Sequence, residues 1–505
     1  MPQYLSPGVY VEEVQTGARP IEGVGTAVAA FVGFAERGPF HRPTLVTSWN
    51  QYAQLFGGFV DGTYLPHAVY GYFTNGGGSA YVVRVGGDAP DAEPPAPVPV
   101  TLGGLLVAPR PEAGPDISVE IADADGETPP EDRFKLLVRQ GTKVVETFDV
   151  STRKNVKNYV VTQVGERSKL ITVTERPGTS LSRPDRQSIT LAAPDKPAES
   201  TGTADASEYI GDAEARTGFG GLESIDEVTM VAVPDLMGAY QRGSIDLEGV
   251  KTVQLAVISH CEQMGDRVAV LDTPPGLSAQ QVRTWRQDTA GYDSKHASLY
   301  YPWIKVFDPA AGRNVIVPPS GHVSGVWARN DVERGVHKAP ANEVIRGAVD
   351  LELTLSKGEQ DLLNPIGVNC VRAFPGRGIR IWGARTLSSD PAWRYLNVRR
   401  LFNYLEESIL LGTQWVVFEP NDDRLWSSIR RNITAFLTEQ WRRGALFGRN
   451  AEEAFYVKCD RDNNPRESID LGQVVCEIGV APVKPAEFVV FRLAQFSDST
   501  SLVSE

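Results

Sequence analysis

The chain has 505 residues, of which 41% are hydrophobic and 22% are charged, and its formal net charge is -13. This composition is ordinary for a globular protein and excludes a collagen-like or disordered chain, while the length predicts two to four domains. The acidic balance argues against nucleic acid as the main partner, because phosphate binding needs a concentrated basic surface.

The N-terminal residues 4–14 are strand-like and have no local segment with which to pair. Residues 1–13 lack a basic start followed by an apolar run, so we expect no secretory signal and synthesis that ends in the cytoplasm. The longest nearly apolar run, residues 23–35, is shorter than the roughly 20 residues that cross a bilayer, and we expect no membrane insertion. The four cysteines form no CxxC pair, which favours reduced thiols.

Two runs rich in proline and small polar residues, 88–99 and 182–207, are predicted to be linkers. The segments between them (134–139, 144–150, 159–164 and 170–174) are rich in β-branched residues and separated by polar turns. Each predicts a strand, and together they predict a small β-rich inserted domain.

The chain after the insert alternates predicted strands with predicted helices. Strand 229–233, helix 245–263 and strand 268–271 are followed by helix 278–289 and strand 298–306. This rhythm predicts a layered α/β middle domain, which the residues before the insert complete.

The C-terminal part begins with a glycine-rich turn and strand at 375–383 and a helix at 393–411. A second helix is predicted over 421–443, because Asn421 and Asp422 are good N-caps and the apolar residues after them form one stripe. Three strands follow at 454–459, 473–481 and 487–493. The predicted fold class is a multidomain α/β and α+β protein with a layered α/β middle domain, a β-rich insertion domain and a C-terminal α+β domain.

The sequence contains no recognisable catalytic or cofactor motif. The chain contains no Gly-Lys dipeptide, which excludes a P-loop, and Gly376 and Gly378 predict a tight turn. His322 and Ser324 miss the GxSxG spacing by one position, and the six histidines show no metal-ligand spacing. We therefore expect no catalytic residues, no metal and no cofactor.

Two other classes of protein stay open at this stage. The α/β rhythm alone permits an α/β hydrolase-like enzyme with a β-rich accessory domain. Acid-base catalysis also stays open, since some carboxylates lie close together in any fold. A carbohydrate-binding or adhesin protein centred on residues 100–180 is the third interpretation. Testing the isolated insert for glycan binding would discriminate it from the others.

Several long segments of the chain form a distinctive set. In the N-terminal part they are YLSPGVYVEEV, GTAVAAFVGFAERGP, PTLVTSWNQYAQLFGG and NGGGSAYVVRV. In the C-terminal half they are PSGHVSGVWARNDVERGVHKAPAN, LNPIGVN, GRGIRIWGARTLSSDPAWRYLNVRRLFNYLEESI and FEPND. These segments resemble contractile phage-tail sheath proteins. The resemblance covers residues 1–90 and 215–495 and leaves the insert unmatched.

The resemblance implies a structural subunit, not an enzyme. Such a subunit polymerises helically as stacked rings around an inner tube and contracts to drive the tube through a target envelope. Its implied partners are further copies of itself, the inner tube protein, and baseplate and terminal cap proteins. It would assemble in the bacterial cytoplasm and become part of a phage tail or an injection particle.

The resemblance also implies a division of the chain into five regions: an N-terminal arm at 1–20, a middle α/β domain at 21–94 and 215–350, an insertion domain at 95–214, an inner α+β domain at 351–482, and a C-terminal arm at 483–505. Each arm donates one strand to a neighbouring subunit and completes a small sheet there. The implied donor residues are Val9, Tyr10, Val11 and Val14, and Phe488, Val489, Val490, Phe491 and Leu493. The implied host strands, 454–459 and 473–481, carry Phe455, Val457, Val474, Val475 and Ile478.

The predicted helix 421–443 suggests a contact with the tube. Arg424, Arg431 and Arg442 lie about 200–220° from Ile429, opposite the apolar stripe. Residues 375–450 contain twelve arginines and seven acidic residues in a chain that is acidic overall. The arginines either form a solvated helix face or face an acidic surface of the inner tube.

Overall fold

The structure is a computed structural model that describes residues 20–86, 99–110, 117–124, 130, 132–141, 143–154, 156–176, 181–191 and 205–492. The chain divides into two compact units, one formed by residues 1–86 and 203–505 and the other by residues 87–202. The predicted donor residues Val9, Tyr10, Val11, Val14 and Leu493 lie outside the described residues.

The first unit begins with β1 (Val28–Gly33), β2 (Thr44–Val46), α1 (Trp49–Phe56), α2 (Leu65–Asn75) and β3 (Ser79–Arg84). Pro66 stands in the first turn of α2, where its missing N–H leaves no helical bond unmade. Gly76 ends α2 with φ of 116°, a conformation that favours glycine.

The second unit contains β4 (Val100–Leu102), β5 (Leu105–Pro109), β6 (Ile117–Asp123), β7 (Arg133–Gln140), β8 (Lys143–Ser151), α3 (Val160–Arg167), β9 (Ile171–Glu175) and β10 (Ser188–Thr190). Within the described residues the strand order is β10-β6-β7-β8 in one sheet and β4-β5-β9 in the other. Alternate residues of both sheets meet in one core, so this unit is β-rich as predicted.

The strand predicted at residues 159–164 is wrong, because these residues begin α3. Val160 and Val164 are both buried, and four-residue spacing places them on one face of a helix. Burial of these valines against the two sheets therefore outweighs the strand preference of β-branched residues.

The first unit continues with α4 (Ala206–Ile210), β11 (Met230–Ala232), α5 (Asp235–Gln241), α6 (Leu247–Met264), β12 (Val268–Asp272), α7 (Ala279–Thr284), β13 (Ala297–Tyr301), β14 (Ile304–Asp308), β15 (Arg313–Val317), α8 (Ser320–Arg334), β16 (Glu343–Val344), β17 (Ala348–Leu351), α9 (Lys357–Leu363), β18 (Val368–Phe374) and β19 (Gly378–Ile381). Short 3₁₀ turns cover Gly220–Ser224 and Asn364–Ile366, and a π-helical turn covers Trp285–Ala290.

In the described ranges these strands form a nine-stranded sheet in the order β16-β19-β18-β13-β12-β11-β1-β3-β2. The strands from β18 to β3 are parallel. Ala30 and Val32 of β1 enter the core on one face, and Ala29 and Phe31 enter the core on the other. Both faces are covered, as parallel sheets require. The two strands β18 and β19, which lie after the predicted boundary at residue 351, belong to this sheet.

The single strand predicted at residues 298–306 is wrong, because the structure divides it into β13 and β14. Pro302 lies between them and offers no N–H to a ladder. While β13 lies inside the large sheet, β14 pairs with β15 and β17 in a separate small sheet.

The buried carboxylate of Asp235 occupies the point at which the order of the large sheet reverses, between β1 and β11. It accepts hydrogen bonds from the backbone N–H groups of Phe34 at 2.7 Å, Leu65 at 3.0 Å and Tyr64. Burial raises the pKa of Asp235 to about 6, although these N–H groups oppose the rise. Open α/β sheets usually bind ligands at this point, whereas here the protein's own side chain fills it.

The C-terminal part consists of α10 (Leu396–Thr413), α11 (Asp423–Arg442), α12 (Ala451–Ala454), β20 (Phe455–Lys458), α13 (Arg466–Asp470) and β21 (Glu477–Val480), with a 3₁₀ turn at Gln414–Val416. Asp422 caps α11 by accepting from the N–H groups of Arg424 and Leu425, as predicted. The apolar stripe of α11 is buried against α10 and β20.

A buried ion pair attaches α10 to the sheet-bearing part of the unit. Arg400 of α10 donates to both oxygens of Asp331 in α8, at 2.9 and 2.6 Å, and to the carbonyl of Thr26 at 3.0 Å. Both side chains are 3% exposed. Such a pair holds its two elements in one geometry, because separating them would leave each charge buried without a partner, at a high cost in free energy.

We predict that Arg400→Met lowers the free energy of unfolding by about 3–5 kcal/mol, since it leaves the Asp331 carboxylate buried without its partner. Arg400→Met combined with Asp331→Leu should recover most of that loss. Urea unfolding of the subunit measures both effects, with the exposed Arg431→Met as control. Equal stability of the single and double variants would contradict the prediction.

Candidate subunit interface

The strands β20 and β21 form a two-stranded antiparallel sheet in the part of the chain that the structure describes. Its register runs from Phe455 opposite Val480 to Lys458 opposite Glu477, and it places Val457 opposite Ile478. Of the predicted host residues, Val457 and Ile478 therefore face one another across this ladder, and Phe455 stands at its end. In a two-stranded sheet each strand has an outer edge that can accept a further strand.

The sheet stands on the apolar side of α11. Phe455 is buried, while Val457, Ile478 and Val480 pack partly buried against the same core. The apolar face of a third strand would therefore extend an existing core rather than lie on a polar surface.

The second host strand is shorter than predicted, and Val474 and Val475 precede it. The side chain of Asn464 accepts from the N–H of Val475 at 2.6 Å and donates to its carbonyl at 2.9 Å. Both backbone groups of Val475 are thus bonded to a side chain and are not used in a strand ladder. The prediction that these two residues lie on a paired strand is wrong.

The C-terminal arm leaves the described part of the chain as an exposed apolar segment. Phe488, Val489, Val490 and Phe491 are 73%, 68%, 76% and 85% exposed. None of them belongs to a strand within the described residues. Burying such a side chain contributes about 1.5–3 kcal/mol, so four in succession favour a segment that is covered by another molecule.

The root of the N-terminal arm lies along α10. Ile21 is buried and packs against Gly412, and the N–H of Val24 donates to the hydroxyl of Ser408 at 3.1 Å. The chain that precedes Ile21 therefore starts from the C-terminal part of the unit, close to the core beneath β20.

Comparisons with known proteins show the family of this chain. Residues 204–387 match the family model described as the phage tail sheath protein central domain, and residues 388–496 match the phage tail sheath C-terminal domain. The chain belongs to the contractile tail sheath family. The sheath-subunit function predicted from the sequence is confirmed, and the hydrolase interpretation receives no support.

Relatives of this sheath protein occur in phages and in prophages. The tail sheath protein of Burkholderia phage BcepMu is 25% identical over 506 residues, which cover 96% of this chain and 95% of the relative. A putative prophage major tail sheath protein of Pseudomonas aeruginosa is 26% identical over 251 residues, which cover 48% of this chain and 62% of the relative.

Solved sheath structures share the fold of this protein. The contracted PVC sheath of an extracellular contractile injection system superposes with a TM-score of 0.60 at 24% identity, covering 98% of this chain and 99% of that one. The contracted helical sheath of the anti-feeding prophage gives a TM-score of 0.59 at 24% identity, covering 97% and 99%.

The three tube-facing candidates of this sheath protein lie where the helix pattern predicts. Arg424, Arg431 and Arg442 are exposed along α11. Within the described residues none of the three side chains has an ion pair or a hydrogen bond, whereas Arg443 pairs with Glu439 at 3.0 Å. Their guanidinium groups are therefore available to a partner.

The residues considered for catalysis lie in the interior of α8. The hydroxyl of Ser324 donates to the carbonyl of Ser320 at 2.8 Å, and burial lowers the pKa of His322 to about 3. Across the described ranges no group of three or more His, Cys, Asp or Glu residues is placed to hold a metal ion. In the same residues no helix is both long and apolar enough to span a bilayer.

Several residues of the interface have no signal in the sequence. The thiols of Cys459 and Cys476 interact with one another, although the two residues are 17 positions apart in the chain. Asn464 shapes the turn before β21, and Glu487 forms an ion pair with Arg385. No sequence motif relates these residues, because their partners are distant in the sequence.

We predict that Asn464→Ala loosens the host sheet. The change leaves the N–H and carbonyl of Val475 without a partner, which costs about 1–3 kcal/mol, so amide exchange at Glu477–Val480 should accelerate by roughly tenfold or more. The control is Asp462→Ala, which removes a surface pair with Lys458 that lies 3.1 Å away. Exchange at equal rates in the two variants would refute this role of Asn464.

Proposed function

We propose that this sheath protein joins its neighbours by strand exchange at the β20–β21 sheet. Residues 487–493 of one copy and residues 8–14 of another would each add a strand to an outer edge of that sheet. The observation that carries the proposal is the presence in one chain of a two-stranded sheet on an apolar core and of the exposed apolar run Phe488–Phe491. The sheet offers an outer edge and an apolar core, and the run offers the strand and the apolar side chains that would cover them.

The energetics favour such a join. A strand of about six residues exchanges several backbone hydrogen bonds, each contributing roughly 0.5–1.5 kcal/mol net, and it also buries its apolar face. Every subunit would take part as donor and as host. Segments outside the paired strands could then bend while the strands stay joined, so that a helical lattice contracts without coming apart.

We predict that Val490→Pro prevents the formation of long tubes by the purified chain. Proline removes an N–H from the donated strand whichever face Val490 presents, and it is poorly tolerated inside a sheet. Negative-stain microscopy would show discrete particles in place of hollow helical tubes. Val490→Thr keeps the N–H and the branched side chain, so it should still polymerise.

Deleting residues 1–14 tests the other donor. The truncated chain should also fail to form tubes, while its thermal unfolding should stay close to that of the full chain. Normal tubes from either the truncated chain or Val490→Pro would refute strand exchange.

We further propose that Arg424, Arg431 and Arg442 face an acidic surface of the inner tube protein in the extended sheath. An exposed ion pair contributes about 0–1 kcal/mol and is screened by salt. Repetition over many subunits would hold the sheath in register with the tube. The weakness of each contact would let the sheath detach when it contracts.

We predict that replacing Arg424, Arg431 and Arg442 together by glutamate abolishes co-assembly with the inner tube, because attraction becomes repulsion. The matched triple change to lysine keeps the charge and should co-assemble. Co-sedimentation of sheath and tube at low and high salt measures both variants. Normal extended particles from the glutamate variant would rule out the tube contact.

The remaining partners are proposed from the family. This chain would act without catalysis, as a structural subunit of stacked helical rings that also meet baseplate and terminal cap proteins. Assembly would take place in the bacterial cytoplasm. The family membership and the similarity to sheath structures support this proposal.

A further inference from the structure

The carboxylate of Glu487, at the root of the C-terminal arm, is held by three side chains. Arg385 donates to it from Nε at 2.8 Å and from Nη2 at 2.6 Å, which is a two-pronged pairing. Asn364 donates from Nδ2 at 2.9 Å, and the Tyr395 hydroxyl lies at 3.3 Å. The side chains of Arg385 and Glu487 are 10% and 19% exposed. Two-pronged bonds between charged groups in partly buried sites are the stronger hydrogen bonds of proteins.

The group that receives the carboxylate is rigidly placed. The N–H of Arg385 donates to Oδ1 of Asn369 at 2.7 Å, and its carbonyl accepts from Nδ2 of Asn369 at 2.8 Å and from the hydroxyl of Ser298 at 3.0 Å. Asn369 lies in β18 and Ser298 in β13. Arg385 is therefore fixed to the large sheet, and Glu487 is bonded to that sheet through it.

The chain between β21 and Glu487 is attached to the body at intervals. The N–H of Ala481 donates to the carbonyl of Ala454 at 2.8 Å, and the N–H of Val483 donates to the carbonyl of Ala445 at 3.3 Å. Asn397 of α10 donates to the carbonyl of Val483 at 3.1 Å. Within the described residues Glu487 is the last of these attachments, and the exposed apolar run begins with the next residue.

We infer that the Arg385–Glu487 pair is a latch that fixes where the C-terminal arm leaves the subunit, so that Glu487 is a positioning residue for exchange with a second copy of this chain. The inference rests on the proposed strand exchange. Because the pair holds Glu487 in place, docking of the arm onto a second copy has to order only the residues after Glu487. Without the pair, the residues from Lys484 onward would have to be ordered as well, which opposes assembly.

The latch also determines which part of the subunit carries tension. A pull on the arm by a neighbour would reach Glu487 first and pass through Arg385 to β13 and β18. The force on the C-terminal arm would then not act on the two-stranded host sheet of the same subunit.

Burial raises the pKa of Glu487, but hydrogen bonds from Arg385 and Asn364 outweigh it and hold the pKa below its usual value. The carboxylate is therefore charged at neutral pH, as the latch requires.

The test compares the full chain with Glu487→Gln and with the matched control Lys484→Gln. Lys484 is an exposed charge on the same segment and has no ion pair in the described residues. In Glu487→Gln an amide replaces one acceptor oxygen and turns N–H groups toward donors. We expect the concentration needed for polymerisation to rise by about tenfold or more, which corresponds to the loss of one charge-assisted bond. The control should match the wild type.

A second measurement separates positioning from general damage. Below the concentration at which tubes form, amide exchange at residues 484–487 should accelerate in Glu487→Gln, while exchange in β13 and β18 should stay unchanged. Polymerisation of this variant at the wild-type concentration would overturn the latch and leave strand exchange standing. A wild-type chain that forms no tubes would overturn strand exchange and the latch with it.

Discussion

The buried pair of Arg400 and Asp331 joins three segments that are far apart in the sequence. Asp331 belongs to α8 on one face of the large sheet, Arg400 belongs to α10, and Thr26 precedes β1 and bonds to both side chains. The guanidinium of Arg400 also lies 4.9 Å from the centre of the Trp327 ring. A buried charge needs its partner in place, so α10 can dock on the sheet in one orientation. The C-terminal part inherits its position from this contact.

Because α10 is fixed in this way, it can serve as a common base for both arms. Val24 and Ile21 attach the N-terminal root near its C-terminal end, through Ser408 and Gly412. Asn397 attaches the chain that leads to the C-terminal arm near its N-terminal end. An 18-residue helix is about 27 Å long. On the proposed arrangement, the two connections between subunits start at a constant separation, which a repeating lattice requires.

The sequence predicts the elements whose pattern is local and misses those that depend on distant contacts. The helix α11 is well predicted, because its cap and its apolar stripe lie within 20 residues. The segment at 159–164 is misjudged, since its valines locally favour a strand, whereas burial against two sheets that are distant in the sequence stabilises a helix. Val475 is misjudged because the side chain of Asn464 takes its backbone groups. Likewise, Arg385 and Glu487 are 102 residues apart and have no pattern that relates them.

The contacts around the C-terminal part differ in strength, and this difference suits contraction. Exposed arginines on α11 would contribute about 0–1 kcal/mol each against a tube, and salt weakens them further. An exchanged strand would contribute several backbone hydrogen bonds together with buried apolar area. The Arg385–Glu487 pair is partly shielded from water and is bidentate. On the proposed arrangement, the contacts with the tube would therefore break first when the lattice rotates. The exchanged strands and the chain segments that lead to them would stay in place, so the subunits would move as one connected body.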